Sequence, residues 1–172
     1  MTTLETKRLI LRPWQQSDLD DFAAMMADPD VARYITLDQQ PQSRALAWRT
    51  LAGVVGHWTL KGFGMWAVEV KDTGTVIGRI GPHEPEGWPQ LEVGWSLARP
   101  YWGQGYALEA ARASMAWTFA HFPDLQRIIH LIVPENAPSI ALAERLGSRW
   151  HNEETVEVLG ITARVYSQSR AV

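Results

Sequence analysis

The stretch from Leu91 to Phe122, LEVGWSLARPYWGQGYALEAARASMAWTFAHF, constrains the fold more than any other part of this chain. Leu91 to Leu97 alternates and predicts a strand. Pro100, Gly103 and Gly105 mark a loop. Leu108, Ala111, Met115, Phe119 and Phe122 then recur at steps of three and four, the period of a helix. Strand, glycine loop and helix N-terminus in this order can build an anion site from backbone alone. The first helical N–H groups lack intrahelical acceptors and lie at the positive end of the dipole. The plainer reading is a tight turn before a helix, because paired glycines are common.

Spacing separates the known phosphate loops. A dinucleotide fingerprint needs a third glycine where Leu108 stands, and an acidic residue about 20 positions on, where Gln126 and Arg127 lie beside Asp124. A Walker loop needs Gly-Lys-Ser/Thr, which does not occur. A kinase glycine loop joins two strands.

The rest of the chain reads as one domain over residues 1–172. Arg8 to Trp14 alternates as a first strand, at a sheet edge because of Pro13. Ser17-x-x-Asp20 resembles a capping box before a helix at about 18–27, which Asp28-Pro29 closes. Val31 to Ile35 reads as a connector or helical turn. A second helix covers roughly 43–60, apolar most of the way round, as for a buried helix or a pocket wall. Met65–Val70 and Val76–Ile80 are strands joined by a turn at Lys71–Gly74, and Pro82–Pro89 is a loop. Gly94 inside the next strand suggests a bulge. Arg127–Val133 reads as an interior strand. Asn136 can cap a helix that stops at Gly147, and two strands flank Leu159-Gly160. The expected order is β-α-α-β-β-β-α-β-α-β-β, an α/β fold on a mixed sheet.

Composition narrows the function classes. A net charge of −3 argues against a nucleic-acid binder that works by phosphate neutralisation. With no cysteine there is no disulfide, thiolate metal site or cysteine nucleophile. The five histidines show no metal-ligand spacing, so no metal is expected. No signal peptide or membrane-length apolar run is read in the chain, and a cytoplasmic protein off the membrane is expected.

Trp102-Gly103-Gln104-Gly105-Tyr106-Ala107 resembles the acyl-coenzyme-A loop of the GNAT N-acetyltransferases, Gln/Arg-x-x-Gly-x-Gly/Ala. Trp102 replaces the first Gln/Arg, which removes one side-chain donor and leaves the backbone donors. The longer string PYWGQGYALEA is similar to the RimJ/RimL branch. VPENAPS followed by LAERLG, with eleven residues from Asn136 to Gly147, resembles the family's second motif. Leu4 to Pro13 resembles the branch's opening segment. The likeness covers essentially the whole chain.

What the resemblance implies is specific. Acetyl-CoA is the co-substrate and an amine is the acceptor, either a peptide N-terminus or a small molecule. The amides of Trp102, Gly103, Gln104, Gly105, Tyr106 and Ala107 would bind the diphosphate. A backbone N–H within Trp95, Ser96 and Leu97 would meet the thioester oxygen, and Asn136 would touch the pantetheine arm besides capping its helix. Glu92 stands where relatives carry a general base; otherwise it is a solvent-facing strand carboxylate. Many relatives place a tyrosine where Ala143 stands, as acid for the thiolate. Ser139 is the substitute candidate, or else only a helix-capping serine. The missing tyrosine leaves a rival reading, an acyl-CoA-binding sensor that has lost transfer. Monomer and homodimer both remain open.

Overall fold

A computed structural model of the chain describes residues 2–36 and 38–170. Chain order is β1 (Leu4–Glu5), β2 (Leu9–Arg12), α1 (Leu19–Ala27), α2 (Pro29–Ile35), α3 (Arg44–Lys61), β3 (Trp66–Val70), β4 (Val76–His83), β5 (Glu92–Leu97), α4 (Tyr106–His121), β6 (Arg127–Ile132), α5 (Ala137–Leu146), β7 (Arg149–Val158) and β8 (Ile161–Ser169). The eight strands form one mixed sheet in the order β1-β2-β3-β4-β5-β6-β8-β7. Among the described residues only β5 and β6 run parallel, joined by the α4 crossover.

Most expected elements are present, and the departures have local causes. β1 adds a two-residue edge strand outside β2, pairing Leu4 with Leu11 and Glu5 with Ile10. Two residues are too few for an alternation signal. Pro13 falls just past the end of β2. Asp28-Pro29 closes α1 and also opens α2: Asp28 Oδ1 accepts the Asp30 N–H at 2.8 Å, and Pro29 takes the first helical turn, where no donor is needed. The α1 entry is built on Asp18 instead of Ser17 and Asp20. Asp18 accepts the Gln15 N–H at 2.7 Å and the Arg12 guanidinium through both oxygens at 2.8 Å.

β4 continues through Pro82 to His83. Pro82 lies opposite Val93 and beyond the start of β3, so its missing N–H removes no ladder bond. The β4–β5 register is unbroken across Gly94, so no bulge lies there. An added Cβ at 94 would stand 2.7 Å from Met65 Cε, the movable end of a side chain, so the glycine gives the Met65 methyl its present place.

Helices cover both sheet faces. On one, Leu9, Leu11, Trp66, Val68, Val93 and Ile128 pack against Ala110, Ala111 and Met115 of α4. The paired alanines bring that helix close to the strands. Fully burying side chains of this size stabilises by about 1.5–3 kcal/mol each. On the other, Leu19, Phe22 and Met26 of α1 meet Ala47 and Leu51 of α3. α3 exposes Leu46, Trp48 and Leu60 on its outer side. No helix among the described residues is long and apolar enough to cross a membrane.

Candidate active site

The sheet is split at its centre. β5 and β6 pair only at Glu92 and Ile129, supported by Ile129 N–H to the Leu91 carbonyl at 3.4 Å. Beyond that point side chains take over the backbone groups that a ladder would have paired. His130 Nδ1–H donates to the Val93 carbonyl at 2.7 Å. The Leu131 N–H donates to Glu92 Oε1 at 3.2 Å. Trp102 Nε1–H donates to the Leu97 carbonyl at 2.7 Å. The Ala98 N–H bonds to Ile77 on β4 and sets the phase of β5. By alternation, the amides of Val93, Trp95 and Leu97 face the split, while that of Ser96 faces β4. Of the three residues expected to offer an oxyanion donor, Trp95 and Leu97 are in phase and Ser96 is not.

Glu92 sits at the foot of the split and is 8% exposed, so the solvent-facing alternative fails. Burial pushes its carboxyl up to about 7, against the opposing pull of hydrogen bonds from Trp88 and Leu131 and of the nearby Arg79 charge. A carboxyl there is about half ionised at neutral pH and can take a proton from an amine or a water.

A cavity of about 300 Å³ lies along the open side of the split. β5 contributes Trp95, Ser96 and Leu97 to it, and α5 contributes Asn136 and Ser139. Trp102, Gly103, Gly105 and Ala107 line it from the loop and α4. α2 closes the remaining side with Val31, Tyr34 and Ile35, the wall that the sequence had suggested for the second long helix. The Tyr34 hydroxyl donates to the Glu135 carbonyl at 3.2 Å, linking α2 to the turn before α5.

The glycine loop has the form an anion needs. Gly103 and Gly105 take φ of +71° and +80°, and Gly105 is the N-cap of α4. The first backbone bond of α4 is Glu109 N–H to Gly105 O, which leaves the amides of Tyr106, Ala107 and Leu108 without helical acceptors. Trp102 is an exception to the expected set, because its N–H is bound to the Arg99 carbonyl at 3.1 Å. The side chains of Gln104 and Tyr106 do not line the cavity: the Gln104 amide donates to Pro100, and the Tyr106 ring lies 4.2 Å beneath Arg8. Arg8 also donates to the Gln104 carbonyl at 3.0 Å and to Glu109 at 2.7 Å. Glu109 further accepts from Thr6 Oγ1 and the Arg8 N–H, both at 2.7 Å. The opening segment of the chain thus clamps the loop. A cradle of unpaired amides with positive-φ glycines suits a diphosphate.

Asn136 caps α5, accepting the Ser139 N–H at 3.3 Å. Trp95 Nε1–H donates to Ser139 Oγ at 3.1 Å, which leaves the hydroxyl proton available to another acceptor. Ala143 is fully buried against Ile132 and Tyr166.

Three contributors escaped sequence reasoning: Trp88, Arg79 and His130. Trp88 stood among many tryptophans, and Arg79 in a strand carried no motif. His130 stands in an apolar strand with no motif beside it. It is 1% exposed, donating from Nδ1 to Val93 while Nε2 accepts from Ser148 Oγ at 3.0 Å. Burial lowers its pKa to about 4. A histidine depressed in the folded state contributes stability that is complete above its unfolded pKa of about 6.5 and is lost as pH falls through the folded value. From this residue alone, the unfolding free energy should drop by on the order of 3 kcal/mol between those pH values. Urea denaturation across that window should show a shallower fall in His130→Gln.

Residues 8–149 match the acetyltransferase (GNAT) domain family. The chain belongs to the GNAT acetyltransferases. It is 32% identical over 150 residues to the uncharacterized N-acetyltransferase p20 of Bacillus licheniformis, covering 85% of this chain and 82% of that protein. It is also 32% identical over 171 residues to the uncharacterized protein YkkB of Bacillus subtilis, covering 97% and 95%. The crystal structure of an acetyltransferase from Agrobacterium tumefaciens superposes with a TM-score of 0.84 at 29% identity, over 99% of this chain and 95% of that one. RimL, an α-N-acetyltransferase of ribosomal L7/L12 solved with coenzyme A, shares the fold at a TM-score of 0.77 and 16% identity, over 98% of each chain. This GNAT member is thus an N-acetyltransferase with a RimJ/RimL-like fold. Enzymes of this family use acetyl-CoA.

Proposed function

We propose that this chain transfers the acetyl group of acetyl-CoA to a primary amine by direct attack in a ternary complex. The observation that carries the reading is the split between β5 and β6. It has Glu92 at its foot, and the free amides of α4 and the first turn of α5 meet at its open side.

Each residue has a defined task in this scheme. The amides of Gly103 to Ala107 hold the diphosphate. The Trp95 or Leu97 N–H, facing the split, donates to the thioester oxygen as charge develops on it, an effect worth roughly 3–4 kcal/mol in barrier height. Glu92 takes the proton of the amine, directly or through a water, as nitrogen bonds to the carbonyl carbon. The carbon–sulfur bond then breaks, Ser139 donates a hydrogen bond to the departing thiolate, which takes its proton from solvent, and Glu92 releases the amine's proton to solvent and is restored. Trp95 keeps Ser139 in place through its indole N–H.

The pKa of the base bears on the acceptor. An α-amine titrates at about 7.7–8.0 and a lysine side chain at about 10.4, so presenting the neutral amine at pH 7 costs about 1 and about 4.6 kcal/mol. A carboxylate near 7 is matched to the first. The favoured acceptor is therefore an α-amine or a small amine of similar basicity. The test is thiol release from acetyl-CoA over a panel of free peptides, N-terminally blocked peptides, lysine side chains and small amines. Release with an α-amine and none with its blocked form is the expected result. Binding of acetyl-CoA without release on any amine would return the chain to the sensor reading.

A further inference from the structure

We propose that Trp88 is a positioning residue for the reaction: its indole N–H holds the Glu92 carboxylate and sets how readily that group accepts the amine's proton. The inference rests on Glu92 as the base.

The geometry is specific. Glu92 Oε1 accepts from the Leu131 N–H, and Oε2 accepts from Trp88 Nε1 at 2.8 Å. Both oxygens are therefore held, each retaining a lone-pair direction for the incoming proton. Indole is a donor only, and its bond is stronger to the ionised carboxylate than to the acid, so it favours the ionised form. Leu131 is fixed in a strand and cannot be tuned by substitution. Trp88 can.

Trp88 comes from the Glu84–Leu91 loop, and that loop is braced. Its N–H closes a turn on the Pro85 carbonyl at 3.0 Å. Its ring meets His83 edge-on at 5.2 Å, and His83 stacks on His57 of α3 at 5.1 Å. His57 is pinned at both ends, donating from Nδ1 to the Phe63 carbonyl at 2.8 Å and accepting the Glu84 N–H at Nε2 at 3.1 Å. A line of rings thus runs from α3 to the carboxylate.

The charged and titratable surroundings leave Trp88 as the adjustable part. Both ring nitrogens of His57 are engaged, by the Phe63 carbonyl and the Glu84 N–H. His83 on β4 is neutral, since burial, the charge of Arg79 and the neighbouring His57 lower its pKa to about 3. The Glu84 carboxylate turns away to Lys61 at 3.7 Å. Arg79, on the same face of β4, is the one cation acting on Glu92 among the described residues, and it donates to Ser96 Oγ at 3.1 Å.

The experiment titrates Glu92 directly by ¹³C NMR of labelled glutamate carboxyls, using Glu92→Gln to identify its resonance. The same proteins are assayed for kcat/KM against pH with one amine acceptor. Trp88→Phe keeps the ring on His83 and deletes the donor. Its Glu92 midpoint is expected to rise by about one pH unit, the effect of losing one hydrogen bond to a charged group. The acid limb of kcat/KM should move up with it, a loss of about tenfold below the midpoint, with KM for acetyl-CoA unchanged. An unmoved midpoint in a folded Trp88→Phe protein would overturn the role of Trp88 and leave Glu92 as base untouched. A midpoint that moves while the acid limb stays would overturn Glu92 as base, and the catalytic role of Trp88 with it. Trp88→His, which can restore an N–H in place of the indole's, is expected to return the midpoint toward the wild-type value if Trp88→Phe has raised it.

Discussion

Glu92→Gln is expected to lower kcat/KM for an amine acceptor by about 10²- to 10³-fold at neutral pH, the usual contribution of one general base. The substitution keeps the size of the side chain and an oxygen for the Leu131 N–H, at the loss of the bond from Trp88, whose N–H then faces an NH2 group. Glu92 does not line the cavity that Gly103 and Asn136 line, and acetyl-CoA should therefore bind with unchanged affinity. The pH dependence gives the sign. A base works ionised, so turnover by the parent chain rises as pH passes through about 7. In Glu92→Gln that rise disappears, and only the acceptor's own titration remains. Steady-state rates from pH 5.5 to 9, paired with calorimetric titration of acetyl-CoA, would check both halves. An unchanged rate on a proven acceptor would remove Glu92 from the chemistry.

The second large effect concerns the loop before α4. Gly105→Val places a β-branched residue at a φ of +80°, which costs about 1–2 kcal/mol of fold stability. It also sets a side chain at the helix N-cap, beside the amides that offer themselves to an anion. Losing one or two charge-assisted hydrogen bonds there should weaken acetyl-CoA binding on the order of a hundredfold. Gly160→Val is the control. Gly160 has a φ of +81° and nothing within 4 Å of an added Cβ, in the turn between β7 and β8. It carries the same backbone strain away from the loop and should leave acetyl-CoA affinity alone. Equal weakening in both proteins would mean that the loop amides do not bind the diphosphate.

Much of this fold was readable before the structure because the signals were local. The period-3.6 pattern of α4, the Asn136 cap and the continuous apolar run of β6 each announce an element within a dozen residues. The family motifs added the order in which those elements pack. What stayed hidden depends on partners far apart in sequence. The burial of Glu92 is set by Trp88 from the preceding loop and by Leu131 on β6, and no spacing within LEVGW reveals it. The phase of β5, which turns the Ser96 amide to β4 and those of Trp95 and Leu97 to the split, follows from the single bond of Ala98 to Ile77. The cavity wall went to α2 instead of the longer apolar helix because Asp28-Pro29 starts a helix as well as stopping one. Trp102 was counted as a backbone donor, but a turn of Arg99–Tyr101 consumes its amide.

The split also has a mechanical meaning. The sheet consists of two leaves, β1–β5 and β6–β8, held along their seam by one backbone pairing and by stitches from His130 and Glu92. A seam of that kind can widen without tearing any strand from its neighbour within a leaf. The most sparsely paired seam of the sheet runs through the place where its chemistry is proposed to occur.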